Sequence, residues 1–197
     1  MEADRFLFAG GPWLVRIFPE IAQRLVVTRQ IEFFFAAPPD ASDLMENHLP
    51  TWVERLPDGK VRAYGVPGNA YRGFKAAFEL HDDITDKFDR YDRYYTAGEV
   101  QHTRDILAHR FPKLRDAPFI EGRVCQYTET PDRDFILDAH PAVSNVWILG
   151  GDSGHGYKQG AALGELAARV ISGKANTPEF FALKRLLVPA RHDENRL

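Results

Sequence analysis

The stretch from residue 145 to 170, NVWILGGDSGHGYKQGAALGELAARV, restricts the possible folds of this chain more than any other. A run of apolar residues leads into a loop crowded with glycines, and apolar side chains then recur at helical spacing. The pattern predicts a strand over 145–149, a tight glycine loop, and a helix over about 157–171 that stops at Gly173. The first residues repeat the theme. An apolar run over 6–9 ends at Gly10-Gly11-Pro12, and WLVRIFPEIAQRL places apolar residues at helical spacing after it. A strand buried in a parallel sheet needs neighbours on both sides, so these two units are expected to pair across the length of the chain.

Between them the character turns to β. LVVTRQIEFFFAAP is rich in β-branched and aromatic residues, and TWVERLPDGKVRAYGVP is two alternating runs joined by Pro57-Asp58-Gly59, a hairpin signal. RGFKAAFEL adds a strand, 81–95 reads as a long acidic loop, and AGEVQHTRDILAHRF resumes helical spacing up to Phe111-Pro112. GRVCQYTET and DFILD supply two further apolar runs. The expected fold class is α/β (α+β), with an antiparallel sheet inserted into a Rossmann-like layer. The expected domains are 1–24 and 125–197, forming one layer, and 25–124 as the antiparallel insertion.

Composition narrows the function classes. With 44% hydrophobic and 27% charged residues and a net charge of -3, the chain is ordinary globular material without a concentrated basic face, so nucleic acid is set aside. No apolar run approaches the roughly 20 residues that span a bilayer, and the acidic start does not resemble a secretory signal, so a cytoplasmic, membrane-free protein is expected. The single cysteine, Cys125, excludes an internal disulfide framework and a multi-cysteine zinc site, and no metal site is expected.

The glycine loop leads straight into a helix N-terminus, where backbone N–H groups and the helix dipole favour an anion or an electron-rich edge. Gly154, Gly156 and Gly160 give G-x-G-x-x-x-G, one residue longer than the dinucleotide fingerprint, and no second strand with a terminal acid follows. A complete NAD site is therefore not expected, and a loop that needs glycine only for packing stays open. Cys125, in mid-strand, is either a small buried apolar residue or a reactive thiol. Lys75, inside GFKAAF, must point to a polar face, reach a carboxylate or do chemistry. His155 and Lys158 belong either to the ligand or to a solvated loop. Arg29, Asp82, Asp83 and Asp86 read as surface groups or local ion pairs.

Several segments, taken in order, resemble one family. ADRFLFAGGPW, VTRQ, YGVPGNAYRGFK, CQYTETPDRDFILDAHP and NVWILGGDSGHGYKQGAALGELA are similar to the C-terminal half of flavin-dependent amine oxidases of the monomeric sarcosine oxidase and N-methyltryptophan oxidase type, within the D-amino-acid oxidase superfamily. The resemblance implies FAD as cofactor, with Gly10, Trp13, Gly151, Gly154, His155, Gly156 and Lys158 on its binding side and Cys125 as the point of covalent attachment. It implies that Lys75 assists the reaction with oxygen, that Lys158 holds the substrate carboxylate, and that Tyr64 and Tyr127 line the substrate pocket. The partners it implies are a small amine or amino acid and oxygen.

The chain departs from the pattern in two ways. Glu79 stands four residues after Lys75, where close relatives often have histidine, which leaves the substrate open. No G-x-G-x-x-G follows a first strand, so the expectation is that a separate N-terminal half-chain or a homo-oligomer completes the enzyme. The alternative expectation is a non-catalytic remnant or interaction module. A thiol enzyme built on Cys125 is disfavoured by its mid-strand position.

Overall fold

A computed structural model describes residues 2–69, 72–90 and 92–187. Ala70 and Tyr71 of the YGVPGNAYRGFK stretch, Tyr91 of the acidic loop and residues 188–197 of the C-terminal segment lie outside the described residues. The fold is mixed α/β and divides into two compact units. The first is Met1–Thr28, Asp83–Tyr91 and Gln126–Glu194, and the second is built on Arg29–Asp82 and Asp92–Cys125. Asp83–Tyr91, which the sequence reading places in the antiparallel domain, thus groups with the chain ends.

The first unit contains a three-stranded sheet in the order β1-β9-β8, from β1 (Phe6–Phe8), β8 (Ile136–Ala139) and β9 (Val146–Gly150). β1 and β9 are parallel, with Phe6 opposite Val146 and Phe8 opposite Ile148, so the two ends of the chain pair as expected. β8 runs antiparallel to β9. The helix expected after Gly11 is broken into α1 (Leu14–Ile17) and α2 (Pro19–Ala22). Pro19 is the cause: its ring drives Phe18 out of the helical region, to φ -124 and ψ 79. Leu14, Phe18, Val27, Ile136 and Ile148 close the core of this unit.

The second unit is built on a larger sheet in the order β3-β4-β5-β2-β6, with β7 also pairing β2. These strands are β2 (Val26–Phe35), β3 (Trp52–Arg55), β4 (Val61–Val66), β5 (Phe74–Phe78), β6 (Asp82–Asp83) and β7 (Phe119–Glu129). The β3–β4 hairpin turns at Pro57-Asp58-Gly59, where Gly59 has φ 85 and Asp58 Oδ1 accepts from Lys60 N at 3.0 Å. Ile31, Phe33 and Phe35 of β2, Phe74 and Ala76 of β5 and Val124 of β7 pack with Leu107 of α3 (Ala97–Arg110). Burying a phenylalanine such as Phe33 completely contributes on the order of 1.5–3 kcal/mol.

Arg29 is a correction. Instead of lying at the surface it is only 4% exposed, and it donates to Glu99 Oε1 and the Tyr94 carbonyl, both at 2.7 Å. Asp82 stands 3.5 Å from the same guanidinium. A buried cation needs such partners, and these lie too far along the chain for local sequence to reveal them.

Candidate functional site

Side chains alternate across a strand, so the core set of the second unit fixes what the other sheet face carries. With Ile31, Phe33, Phe74, Ala76 and Val124 facing the core, Glu32 and Phe34 of β2, Lys75 of β5 and Cys125 of β7 take the opposite face. Lys75 stands across from Phe34 on β2 and from Val66 on β4. Tyr64, two residues before Val66, shares that face. The Lys75 ammonium donates to Glu32 Oε1 at 2.5 Å and lies 5.8 Å from the centre of the Tyr64 ring. Both partners of the ion pair are largely buried, with 21% and 19% of their side chains exposed. Of the three fates open to Lys75, the structure shows the carboxylate.

Cys125 is half-buried and free. Burial pushes its thiol above the ordinary range and the Glu32 carboxylate adds to the rise, against the opposing charges of Lys75, Arg93 and Arg123.

In the first unit, β1 and β9 end side by side because they are parallel and in register. The turn after β1 and the glycine loop after β9 therefore leave the sheet at its carboxyl edge, the place where open parallel sheets take ligands. The two connections are packed together: a Cβ on Gly150 would come within 2.1 Å of Leu14 Cδ1. Gly10 accepts from Trp13 N at 3.0 Å, and Trp13, 46% exposed, sets its ring against the edge of Phe88 at 4.9 Å.

The loop has its own internal frame. Gly154 has φ 78, and a Cβ there would lie 2.5 Å from the Tyr127 ring, so both conformation and space demand glycine. Asp152 accepts from Thr128 N at 3.4 Å and from the Gly154 N–H, while Ser153 N donates to the Thr128 carbonyl at 3.0 Å. Burial outweighs these bonds and raises the Asp152 carboxyl above the usual carboxylate range. His155 Nε2 lies 2.9 Å from the Arg133 carbonyl, which can only accept, so that nitrogen carries the proton and the ring is tied to the turn after β7. A Cβ on Gly156 would lie 2.7 Å from Asp152 Cβ. Lys158 is exposed in the short turn before α4 (Gly160–Ile171) and has no recorded ion pair among the described residues.

Residues 1–170 match the family model described as FAD dependent oxidoreductase. The chain belongs to the FAD-dependent oxidoreductase family. Among relatives of this family it is 39% identical over 170 residues to mouse peroxisomal sarcosine oxidase, covering 84% of this chain and 43% of that protein. It is 29% identical over 190 residues to monomeric sarcosine oxidase from Bacillus sp. (strain NS-129), covering 93% and 48%. In fold it resembles amadoriase I from Aspergillus fumigatus, a fructosyl amine:oxygen oxidoreductase, with a TM-score of 0.75, 17% identity, and coverage of 92% of this chain and 43% of that one. The chain spans about half the length of the curated relatives it matches.

The residues of this family member fit FAD at one informative place. Gly160 has an ordinary helical φ of -54, and a Cβ there would meet nothing within 4 Å. Neither conformation nor crowding within the chain requires glycine, and the open space lies beside the start of α4, where the Gly160 N–H itself donates to the Tyr157 carbonyl. Gly151 is different: its φ of 65 and the methyl of Thr130, 2.5 Å from a Cβ placed there, explain it from within the loop. Two polar residues escaped the sequence reading, Glu32 and Asp152. The first had a partial signal, a charge inside an apolar run, but its pairing with the strand that carries Lys75 is visible only in the structure. Asp152 had none, because its partners are backbone groups.

Proposed function

We propose that this chain supplies the substrate-facing sheet and the flavin-edge loop of an oxidase acting on the C–N bond of a secondary amine or N-methyl amino acid, with dioxygen as acceptor and hydrogen peroxide as product. The observation that carries the reading is the Lys75 ammonium, held between the Glu32 carboxylate and the Tyr64 ring on the sheet face that also bears Cys125. FAD, when bound, supplies the acceptor for the hydride leaving the amine carbon.

The chain's own residues do the rest. Lys75 presents a fixed positive charge where negative charge develops on dioxygen as electrons arrive, a form of electrostatic stabilisation that needs no reorganisation. Lys158, exposed beside the glycine loop, offers an ammonium for a substrate carboxylate. Tyr64 and Tyr127 provide aromatic walls. The α4 N-terminus and the loop N–H groups favour the electron-rich edge of the cofactor. Cys125 provides the sulfur for a covalent link.

The test is the visible spectrum of the purified chain, prepared alone and with a matched N-terminal half, before and after acid precipitation. Flavin colour in the precipitate, lost in Cys125→Ser, is the expected result. Colour released to the supernatant removes the covalent link, and no colour in either preparation favours a non-catalytic interaction module. In a flavin-loaded preparation, Lys75→Met should slow reoxidation by oxygen while leaving reduction by amine largely intact. Equal loss in both half-reactions would overturn the oxygen role.

A further inference from the structure

The geometry points to Glu32 as the positioning residue of Lys75: its carboxylate anchors the ammonium over the open face of the second unit's sheet, so that the charge stays at one place instead of sweeping the face. The inference rests on the oxygen role proposed for Lys75 and deepens it.

Strand geometry makes the pair directional. Lys75 is opposite Phe34 on β2, and Glu32 lies two residues before Phe34 on the same face. The two side chains are therefore diagonal neighbours, a separation that only long side chains bridge. To reach Glu32, the lysine must lean along β2. On the opposite flank its cross-strand partner is Val66 of β4, and the Tyr64 ring stands 5.8 Å from Nζ. An apolar partner and a ring face do not fix an ammonium at a point, because the cation–π attraction is broad. The Glu32 carboxylate does, through a charge-assisted hydrogen bond of 2.5 Å. No other carboxylate forms a recorded ion pair with Lys75 among the described residues.

The burial of both partners sharpens the point. An exposed lysine pair is screened and spends its gain on side-chain entropy, but this one is about four-fifths covered on each side. The carboxylate also acts on Cys125, whose thiol it pushes upward, so its field reaches across the same face. A fixed anion there keeps Lys75 in place, and its field adds to the burial that raises the Cys125 thiol.

The test reads the lysine itself and needs no flavin. In the unmodified chain labelled with 15N and 13C, the Lys75 Nζ should show a coupling through the hydrogen bond to the Glu32 side-chain carboxyl carbon. Competitive acylation with acetic anhydride, read residue by residue by mass spectrometry, should show Lys75 reacting about two- to fivefold faster in Glu32→Gln relative to Lys60 and Lys113. Glu32→Asp should restore most of the protection, a rescue that a merely space-filling role does not predict. An unchanged Lys75 rate in a folded Glu32→Gln overturns the inference. Acceleration of every lysine would mean the variant has unfolded, and the coupling in the unmodified chain then decides: its presence sustains the anchor and its absence refutes it. Unchanged reoxidation in Lys75→Met, by contrast, would remove the oxygen role and leave the anchoring of Lys75 by Glu32 standing.

Discussion

Asp152 carries a charge against its surroundings. Burial raises its carboxyl above the usual range despite the hydrogen bonds from Thr128 and Gly154, so the folded chain holds that proton more tightly than the unfolded one. Stability from this group is present below the ordinary aspartate range and is lost as pH rises through the raised value. Asp152→Asn keeps an acceptor for Thr128 N and removes the buried charge. Urea unfolding should show the variant more stable than the parent in neutral buffer, with the difference disappearing in acid. An advantage that persists unchanged in acid would show that the charge is not the cause. Residues of this kind mark the limit of reading a chain locally. Lys75 could be singled out because an ammonium inside GFKAAF is anomalous by itself. What answers it, Glu32, sits 43 positions earlier, and only strand pairing brings the two onto one face.

Among the elements, α3 shows what sequence conveys well. Thr96 caps its N-terminus, accepting from Glu99 N at 3.2 Å, while Glu99 Oε2 accepts from Thr96 N at 2.6 Å. Burial works against the Glu99 charge, but the Arg29 guanidinium and the two Thr96 bonds prevail and hold the carboxyl below the ordinary glutamate range. The sign is opposite to that of Asp152: stability is present above the ordinary range and lost as pH falls through the lowered value. Thr96→Ala should cost about 1 kcal/mol of stability in neutral buffer. The penalty should shrink in acid, where Glu99 is protonated, and a denaturant titration at both conditions checks it. The Pro57-Asp58-Gly59 hairpin was legible because its chemistry is complete within four or five residues, and α3 was legible through its helical spacing alone. The break between α1 and α2 was not, because the helical spacing of apolar residues continues across Pro19 while the backbone does not.

For the whole molecule, the α/β class and the pairing of the two chain ends were legible from the matching strand–turn–helix units at residues 6–22 and 145–171. The division into units was harder to see, since Asp83–Tyr91 carries no periodic signal and joins the chain ends through tertiary packing, with Ile84 and Phe88 in that core. This division bears on how the protein is made. Every described residue of the second unit precedes position 126, whereas the first unit gains β8, β9 and α4 only from the segment that follows. At about 5–20 residues per second, translation opens an interval of several seconds in which the second unit has nearly all of its strands while β1 still waits for β9. Ribosome-bound chains stalled past residue 125 should resist brief proteolysis across Arg29–Asp82 and be cut within the first 28 residues. During that interval β1 has no β9 to pair with, so its open edge is the stretch most in need of a chaperone.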